Sequence, residues 1–167
     1  MHSNTVIIHD LQGDALRLLP RGTSFSVIDA NEQAAYCIGC FGCWLKTPGV
    51  CILKDGLQHA GATLPQSDEI IIVSQNCYGG YSPSVKKVLD RSIAADLPFF
   101  TLRGGEVHHP FRYKKRPACK VFLYGDATPF EKETAQKLVQ ANALNLAWQQ
   151  VTLTFIEDIE TLGEVWQ

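Results

Sequence analysis

Five short runs rich in β-branched residues punctuate the chain, and longer segments of helical spacing lie between them. The runs are "TVIIH" at 5–9, "SFSVIDA" at 24–30, "EIIIVSQ" at 69–75, "KVFLYG" at 120–125 and "QVTLTFI" at 150–156. Near-continuous apolar strands that alternate with helices are the signature of a parallel sheet covered on both faces, because each crossover helix must bury its own apolar stripe on the sheet. The segment "SPSVKKVLDRSIAADL" places Val85, Val88, Leu89 and Ile93 at helical spacing, with helix predicted through "KKVLDRSIAAD". "TPFEKETAQKLVQANALNLAW" repeats that spacing through Leu138, Ala141 and Leu144. Both begin with Ser or Thr followed by Pro, a cap and a first helical position that does not need its N–H. A shorter helix is expected within "KDGLQHAGATLPQSD".

At 167 residues, 46% hydrophobic and 19% charged, the chain has enough apolar material for one core, and no compositional break divides it. One domain over residues 1–167 is expected. A net charge of -2 gives no electrostatic reason to bind nucleic acid or an anionic membrane. The start "MHSNTVIIHDLQGD" has neither the basic region nor the apolar run of a signal peptide, and no segment approaches the roughly 18 apolar residues of a spanning helix. The cytoplasm is the expected compartment, where thiols stay reduced.

That expectation bears on "CIGCFGCWLKTPGVC", which holds four of the six cysteines. Two residues separate Cys37, Cys40 and Cys43, so a tight loop can aim three thiolates at one centre, and the Pro48-Gly49 turn can return Cys51 as a fourth. The spacing leaves open a [4Fe-4S] cluster, a structural zinc, or reduced packing or redox thiols. In open sheets of this type, ligands sit at the carboxyl ends of the strands where the strand order reverses. The loops after Ile8, Ser74 and Tyr124 are therefore the informative ones. After the third strand comes "NCYGGYS", whose glycines permit close backbone approach and whose tyrosines offer faces to a ring, although an ordinary strand-to-helix turn reads the same way.

In order and spacing, "CIGCFGCWLKTPGVCILKD", "DEIIIVSQNCYGGYSPSVKKVLDRS" and "GGEVHHPFRYKKRP" resemble the flavodoxin-like NAD(P)H-dependent FMN reductases and, for the cysteine block, the iron-sulfur flavoproteins of that superfamily. The resemblance runs over about residues 36–156. It implies a flavodoxin-like α/β three-layer sandwich with five parallel strands ordered 2-1-3-4-5. It also implies FMN at the carboxyl ends of the first and third strands and NAD(P)H as electron donor. By the same resemblance the loop Asn76, Cys77, Tyr78, Gly79, Gly80 to Ser82 wraps the isoalloxazine, and Gly125, Asp126 and Ala127 flank it. Cys37, Cys40, Cys43 and Cys51 would ligate the cluster of an iron-sulfur relative. The electron acceptor, small molecule or protein, is not specified, and a homodimer is left open because relatives commonly pair.

One region departs from that pattern. Where relatives carry a Gly- and Ser/Thr-rich phosphate loop after the first strand, this chain has "HDLQGDALRLLPRGTSF", with Gly13 alone, no hydroxyl before Thr23, and Asp10 and Asp14 opposing a phosphate charge. The first helix is expected to be short or missing, and FMN to be weakly held or lost. The expected function is an NAD(P)H-dependent FMN-type oxidoreductase. The alternatives are a degenerate relative acting as a binding or structural protein, and a [4Fe-4S] flavoprotein electron carrier.

Other residues have weaker claims. His108 and His109 are candidates to line the flavin or meet a metal, although histidines beside Pro in a long connection more often pack or face solvent. Arg112, Lys114, Lys115 and Arg116 offer a nucleotide-phosphate site or simply a solvated basic loop. Cys77 is a candidate reactive thiol, Cys119 a packing residue, and Trp44 a hydrophobic cover.

Overall fold

A computed structural model of the chain describes residues 4–20, 22 and 25–166, so Thr23 and the first residue of the expected second strand, Ser24, lie outside the described residues. The strands are β1 Thr5–His9, β2 Phe25–Asp29, β3 Glu69–Gln75, β4 Thr101–Arg103, β5 Glu106–His108, β6 Ala118–Tyr124 and β7 Gln149–Ile156. The α-helices are α1 Gly42–Leu45, α2 Ala60–Thr63, α3 Pro83–Arg91 and α4 Pro129–Asn145.

Five strands form one parallel sheet in the order β2-β1-β3-β6-β7. With the β4-β5 hairpin set aside, that is the predicted 2-1-3-4-5 arrangement. The register places Ile7 opposite Ile71 and Ile72 opposite Val121, so side chains alternate between two buried faces. One face carries Val6, Ile8, Ile70, Ile72, Val121 and Leu123 against α3, α4 and their connections. On the other, Ile7, Ile71, Val73 and Phe122 meet two 3₁₀ segments, Gly13–Leu18 and Ile159–Trp166, rather than α-helices. Each fully buried Ile or Val contributes on the order of 1.5–3 kcal/mol, so the central strands carry most of the stabilising apolar burial.

α4 begins as its sequence predicts. Thr128 Oγ1 accepts from the Glu131 amide at 3.3 Å, and the Glu131 carboxylate accepts from the Thr128 amide at 2.8 Å, a complete capping box. α3 starts at Ser82 and Pro83 as expected but ends at Arg91, short of the predicted Asp96. The Ser92 hydroxyl donates back to the Leu89 carbonyl at 2.6 Å, and the chain leaves the helix through a 3₁₀ turn, Ile93–Ala95. The predicted shorter helix resolves into α2 followed by a 3₁₀ turn, Leu64–Gln66. Gly13–Leu18 is the reduced first helix that the short first loop implied. The β4-β5 hairpin lies in a connection that gave no strand signal in the sequence.

Candidate functional site

The strand order reverses between β1 and β3, and their carboxyl ends open into a cleft of about 530 Å³. Its lining includes Asp10, Gln12, Asn31, Gln75, Ser82 and Tyr124. Asp10 is only 6% exposed, and its carboxylate is fully engaged. It accepts from the Gln75 amide at 3.0 and 3.2 Å, from the Tyr124 hydroxyl at 3.0 Å and from the Ser74 hydroxyl at 3.5 Å. Burial, followed by the Asp10 charge and this hydrogen bond, pushes the Tyr124 hydroxyl pKa up, so it remains a donor.

Three backbone donors on the β3 side of the cleft floor are engaged in the same way. The Ser82 amide donates to Ser74 Oγ at 2.8 Å, the Asn76 amide to the Tyr124 carbonyl at 2.8 Å, and the Val85 amide to Ser82 Oγ at 3.3 Å. Pro83 at the start of α3 has no N–H. The Gly13–Leu18 segment is a short 3₁₀ run without a side-chain cap, and Asp14 on it is exposed.

Of the residues predicted around a flavin ring, Ser82 lines this cleft, whereas Asn76 to Gly80 form a tight turn beside it. Cys77 and Gly80 exchange two backbone hydrogen bonds of 2.9 Å, and Tyr78 and Gly79 between them take φ of 54° and 80°. Asn76 fixes the turn by accepting from the Gly79 amide at 3.1 Å and donating to the Asp126 carbonyl at 2.8 Å, which joins the Gly125-Asp126 loop to it. Gly79 faces α4 so closely that a Cβ there would sit 2.6 Å from the Glu131 carbonyl oxygen. Tyr78 is 86% exposed.

The four clustered cysteines line one apolar cavity of about 40 Å³, together with Phe41 and Arg91. Burial, followed by the neighbouring thiol of Cys51, raises the pKa of the Cys43 thiol. Among the described residues, no three His, Cys, Asp or Glu side chains are grouped to hold a metal ion, so nothing in the geometry supports the cluster or zinc expectations. Arg91 pins the loop in place: it donates to the Ala35 carbonyl at 2.7 Å, to the Leu53 carbonyl at 3.3 Å, and to Asp55 at 2.8 and 2.9 Å. The Arg91 hydrogen bonds hold the Asp55 carboxyl at about 2.

Cys77 sits half-buried in the turn at the carboxyl end of β3. Cys119 is buried within β6, where desolvation drives its pKa up. The Trp44 indole donates to the Ile93 carbonyl at 3.1 Å and packs against His109, with centroids 4.8 Å apart and the rings tilted by 51°, which suits a covering role. His108 and His109 lie on or beside the hairpin, away from the switch-point cleft. Most of the basic run is committed to local structure: Arg112 donates to the Ala94 and Asp96 carbonyls, Arg116 stacks on Phe111, and Lys115 pairs with Asp68 at 2.7 Å. Asp96 and Arg103 gave no sequence signal; both lie in the connection between α3 and β6, and only tertiary packing buries Asp96.

No family model matches the chain, and no curated protein does. Solved structures are similar in fold. An azoreductase from Bacillus anthracis str. Sterne superposes with a TM-score of 0.61 at 11% identity, covering 98% of this chain and 98% of that one. The fold is flavodoxin-like. An NAD(P)H:quinone oxidoreductase from Methanothermobacter marburgensis has a TM-score of 0.60 at 13% identity, covering 98% of this chain and 93% of that one. An FMN-dependent NADH-azoreductase from Bacillus anthracis str. Ames Ancestor, in complex with FMN, has a TM-score of 0.57 at 10% identity, covering 98% and 97%. In this flavodoxin-like chain, the carboxylate of Asp10 stands at the end of β1, where folds of this type bind a ligand. Among the described residues, no helix is long and apolar enough to cross a membrane.

Proposed function

We propose that the chain is an oxidoreductase of the flavin and nicotinamide class in which flavin is a transient co-substrate and not a resident cofactor. The observation that carries this reading is the switch-point cleft of about 530 Å³, open to solvent, with the buried Asp10 carboxylate at its end and the Gln75 and Ser82 amides already engaged. The flavodoxin-like fold and its likeness to azoreductases and a quinone oxidoreductase support the reaction class.

The FMN phosphate does not fit this floor. A phosphate needs free amide donors, usually at a helix N-terminus, and none of the Ser82, Gln75 or Val85 amides is free. The buried Asp10 carboxylate adds repulsion of about 1 kcal/mol at about 4 Å even at the dielectric constant of water. A ring with a neutral polyol tail meets neither obstacle. Leu11, Ala15 and Ile159 offer it apolar wall, while Gln12, Asn31 and Ser84 offer polar contacts. The balanced reaction is NAD(P)H plus a proton plus oxidised flavin giving NAD(P)⁺ plus dihydroflavin, which then leaves for its acceptor. The hydride chemistry is the reactants' own, and the chain supplies placement.

Freshly purified protein tested for NADH and NADPH oxidation with riboflavin and with FMN checks this. Colourless protein with flavin-dependent oxidation and a KM for riboflavin no higher than that for FMN is the expected result. Absence of oxidation with either flavin, or FMN retained in stoichiometric amount through gel filtration, would overturn the proposal.

A further inference from the structure

The β4-β5 hairpin turns its polar face inward and its apolar face outward. Strand alternation puts Thr101, Arg103 and His108 on one face of the ribbon, and Leu102 and Val107, which pair across the strands, on the other. The first face packs on the end of α4: Arg103 donates to the Leu144 carbonyl at 2.7 Å, and His108 Nδ1 lies 3.1 Å from the Asn145 amide oxygen. The second face is open, with Leu102 73% and Val107 67% exposed. Phe100, two residues before Leu102 and so on the same face, is 75% exposed. A two-stranded ribbon is marginal in water unless its apolar face is covered, and among the described residues nothing covers this one.

The same surface continues onto the cysteine loop through a row of rings. Phe100 meets His109 with centroids 5.1 Å apart, His109 meets Trp44 at 4.8 Å, and Trp44 meets Phe41 at 5.2 Å. Phe41, Leu45 and Phe99, each next to or part of that row, are exposed as well. An aromatic side chain carries about 150–250 Å², so the open parts of the three phenylalanines come to roughly 300–450 Å², and the three aliphatic side chains bring the face to on the order of 700 Å². The largest apolar patch of an ordinary monomer is about 300–600 Å², whereas each partner in a stable interface contributes about 800 Å².

Beside this ridge lies a recess. A second cleft, of about 590 Å³, opens between the cysteine loop, α3, the hairpin and the end of α4. Val107 and His109 belong both to the ridge and to the cleft wall, to which Leu89, Ile93 and Leu146 add apolar surface. A protruding phenyl group next to an apolar recess is self-complementary: about a two-fold axis each copy's ridge meets the other's recess, and the contact closes at two copies. A net charge of -2 sets little repulsion against such pairing.

We propose that this face is the interface of a two-fold homodimer, in which the hairpin of each copy seats against the second cleft of the other. The cleft shares no lining residue with the switch-point cleft, so the pairing stands or falls independently of the flavin reaction.

Sedimentation equilibrium of the unmodified chain up to about 100 μM tests the assignment, and a dimer with a Kd in the micromolar range or below is expected. Phe100→Asp combined with Leu102→Asp should raise that Kd at least about hundredfold, because burial of unpaired carboxylates opposes association. Val107→Asp, made separately, should act in the same direction. Both changes fall at exposed positions, so far-UV circular dichroism and the thermal midpoint should stay those of the unmodified chain. Phe130→Asp, also at an exposed position but at the opposite end of α4 from the hairpin, should leave the Kd within about twofold. A chain that is monomeric at about 100 μM, folded hairpin variants that dimerise with unchanged Kd, or a dimer lost equally in Phe130→Asp would each overturn the proposal.

Discussion

The two clefts of this molecule handle buried polarity in opposite ways. At the carboxyl ends of the strands, Asp10 is buried and satisfied, with backbone and hydroxyl donors closed around its carboxylate. Near the second cleft, Asp96 is equally buried but its Oδ1 has no hydrogen-bond partner, as is true of Arg103 Nε and His108 Nε2. A satisfied anion is a finished piece of structure, and it repels a second anion that would take its place. Buried polar atoms left without a partner cost stability instead. The switch-point cleft, the expected home of a phosphate in this fold, thus carries a buried anion at that end.

The largest effect should come from removing the cation that holds the cysteine wall shared by the second cleft. The Arg91 side chain has no exposed area, and its loss strands Asp55 and two carbonyls. Arg91→Met is expected to lower stability by about 3–5 kcal/mol in urea denaturation, and a loss under about 1 kcal/mol would show that the loop is held by packing instead. Because Asp55 titrates at about 2, below its ordinary range, the stability it contributes is present above pH ~4 and fades as pH falls toward ~2; Arg91→Met should abolish that part of the acid transition.

On the switch-point side, Gly79→Ala forces a φ of 80° on a residue with a Cβ and drives that Cβ toward the Glu131 carbonyl. A loss of about 1–3 kcal/mol is expected, and a neutral result would mean that the turn does not brace α4.

Asp96 sharpens the contrast through pH. Its folded pKa, about 6, lies above its unfolded value of 3.8, so the folded chain binds the extra proton between them. Stability should fall as pH rises through that window and stay lower above it, whereas Asp96→Asn should remove this component of the pH dependence. Parallel thermal-midpoint curves for the two proteins would contradict the burial of an ionisable, unpartnered carboxyl. The smallest effect is Asp10→Asn, which removes the repelling charge and is expected to improve FMN binding relative to riboflavin by about tenfold, about 1.4 kcal/mol, in paired titrations.

The sheet was legible because strands buried on both faces must be apolar along their length, and "TVIIH", "EIIIVSQ" and "QVTLTFI" advertise that without help from context. α4 was legible through Thr128, Pro129 and Glu131, whose roles depend only on neighbours three residues away. The departure of the first loop from the glycine- and hydroxyl-rich pattern could likewise be read from Asp10, the lone Gly13 and the missing hydroxyls. Other features depended on distant partners. Nothing local indicates that Asp10 meets Tyr124, because that contact joins strands far apart in sequence. The hairpin was silent because Leu102 and Val107 are exposed and no alternating core face marks its strands. "NCYGGYS" read as a ring-binding loop because glycines suit close approach to any surface, and in the fold the surface approached by Gly79 is α4.

The most direct test of the central claim, that the Asp10 carboxylate occupies the phosphate end of the switch-point cleft, is to measure dissociation constants of riboflavin and FMN on the same freshly purified protein by quenching of flavin fluorescence. FMN is predicted to bind no more tightly than riboflavin, because its phosphate meets the Asp10 charge and the Gln75 and Ser82 amides are already engaged. FMN binding tenfold or more tighter than riboflavin would contradict it.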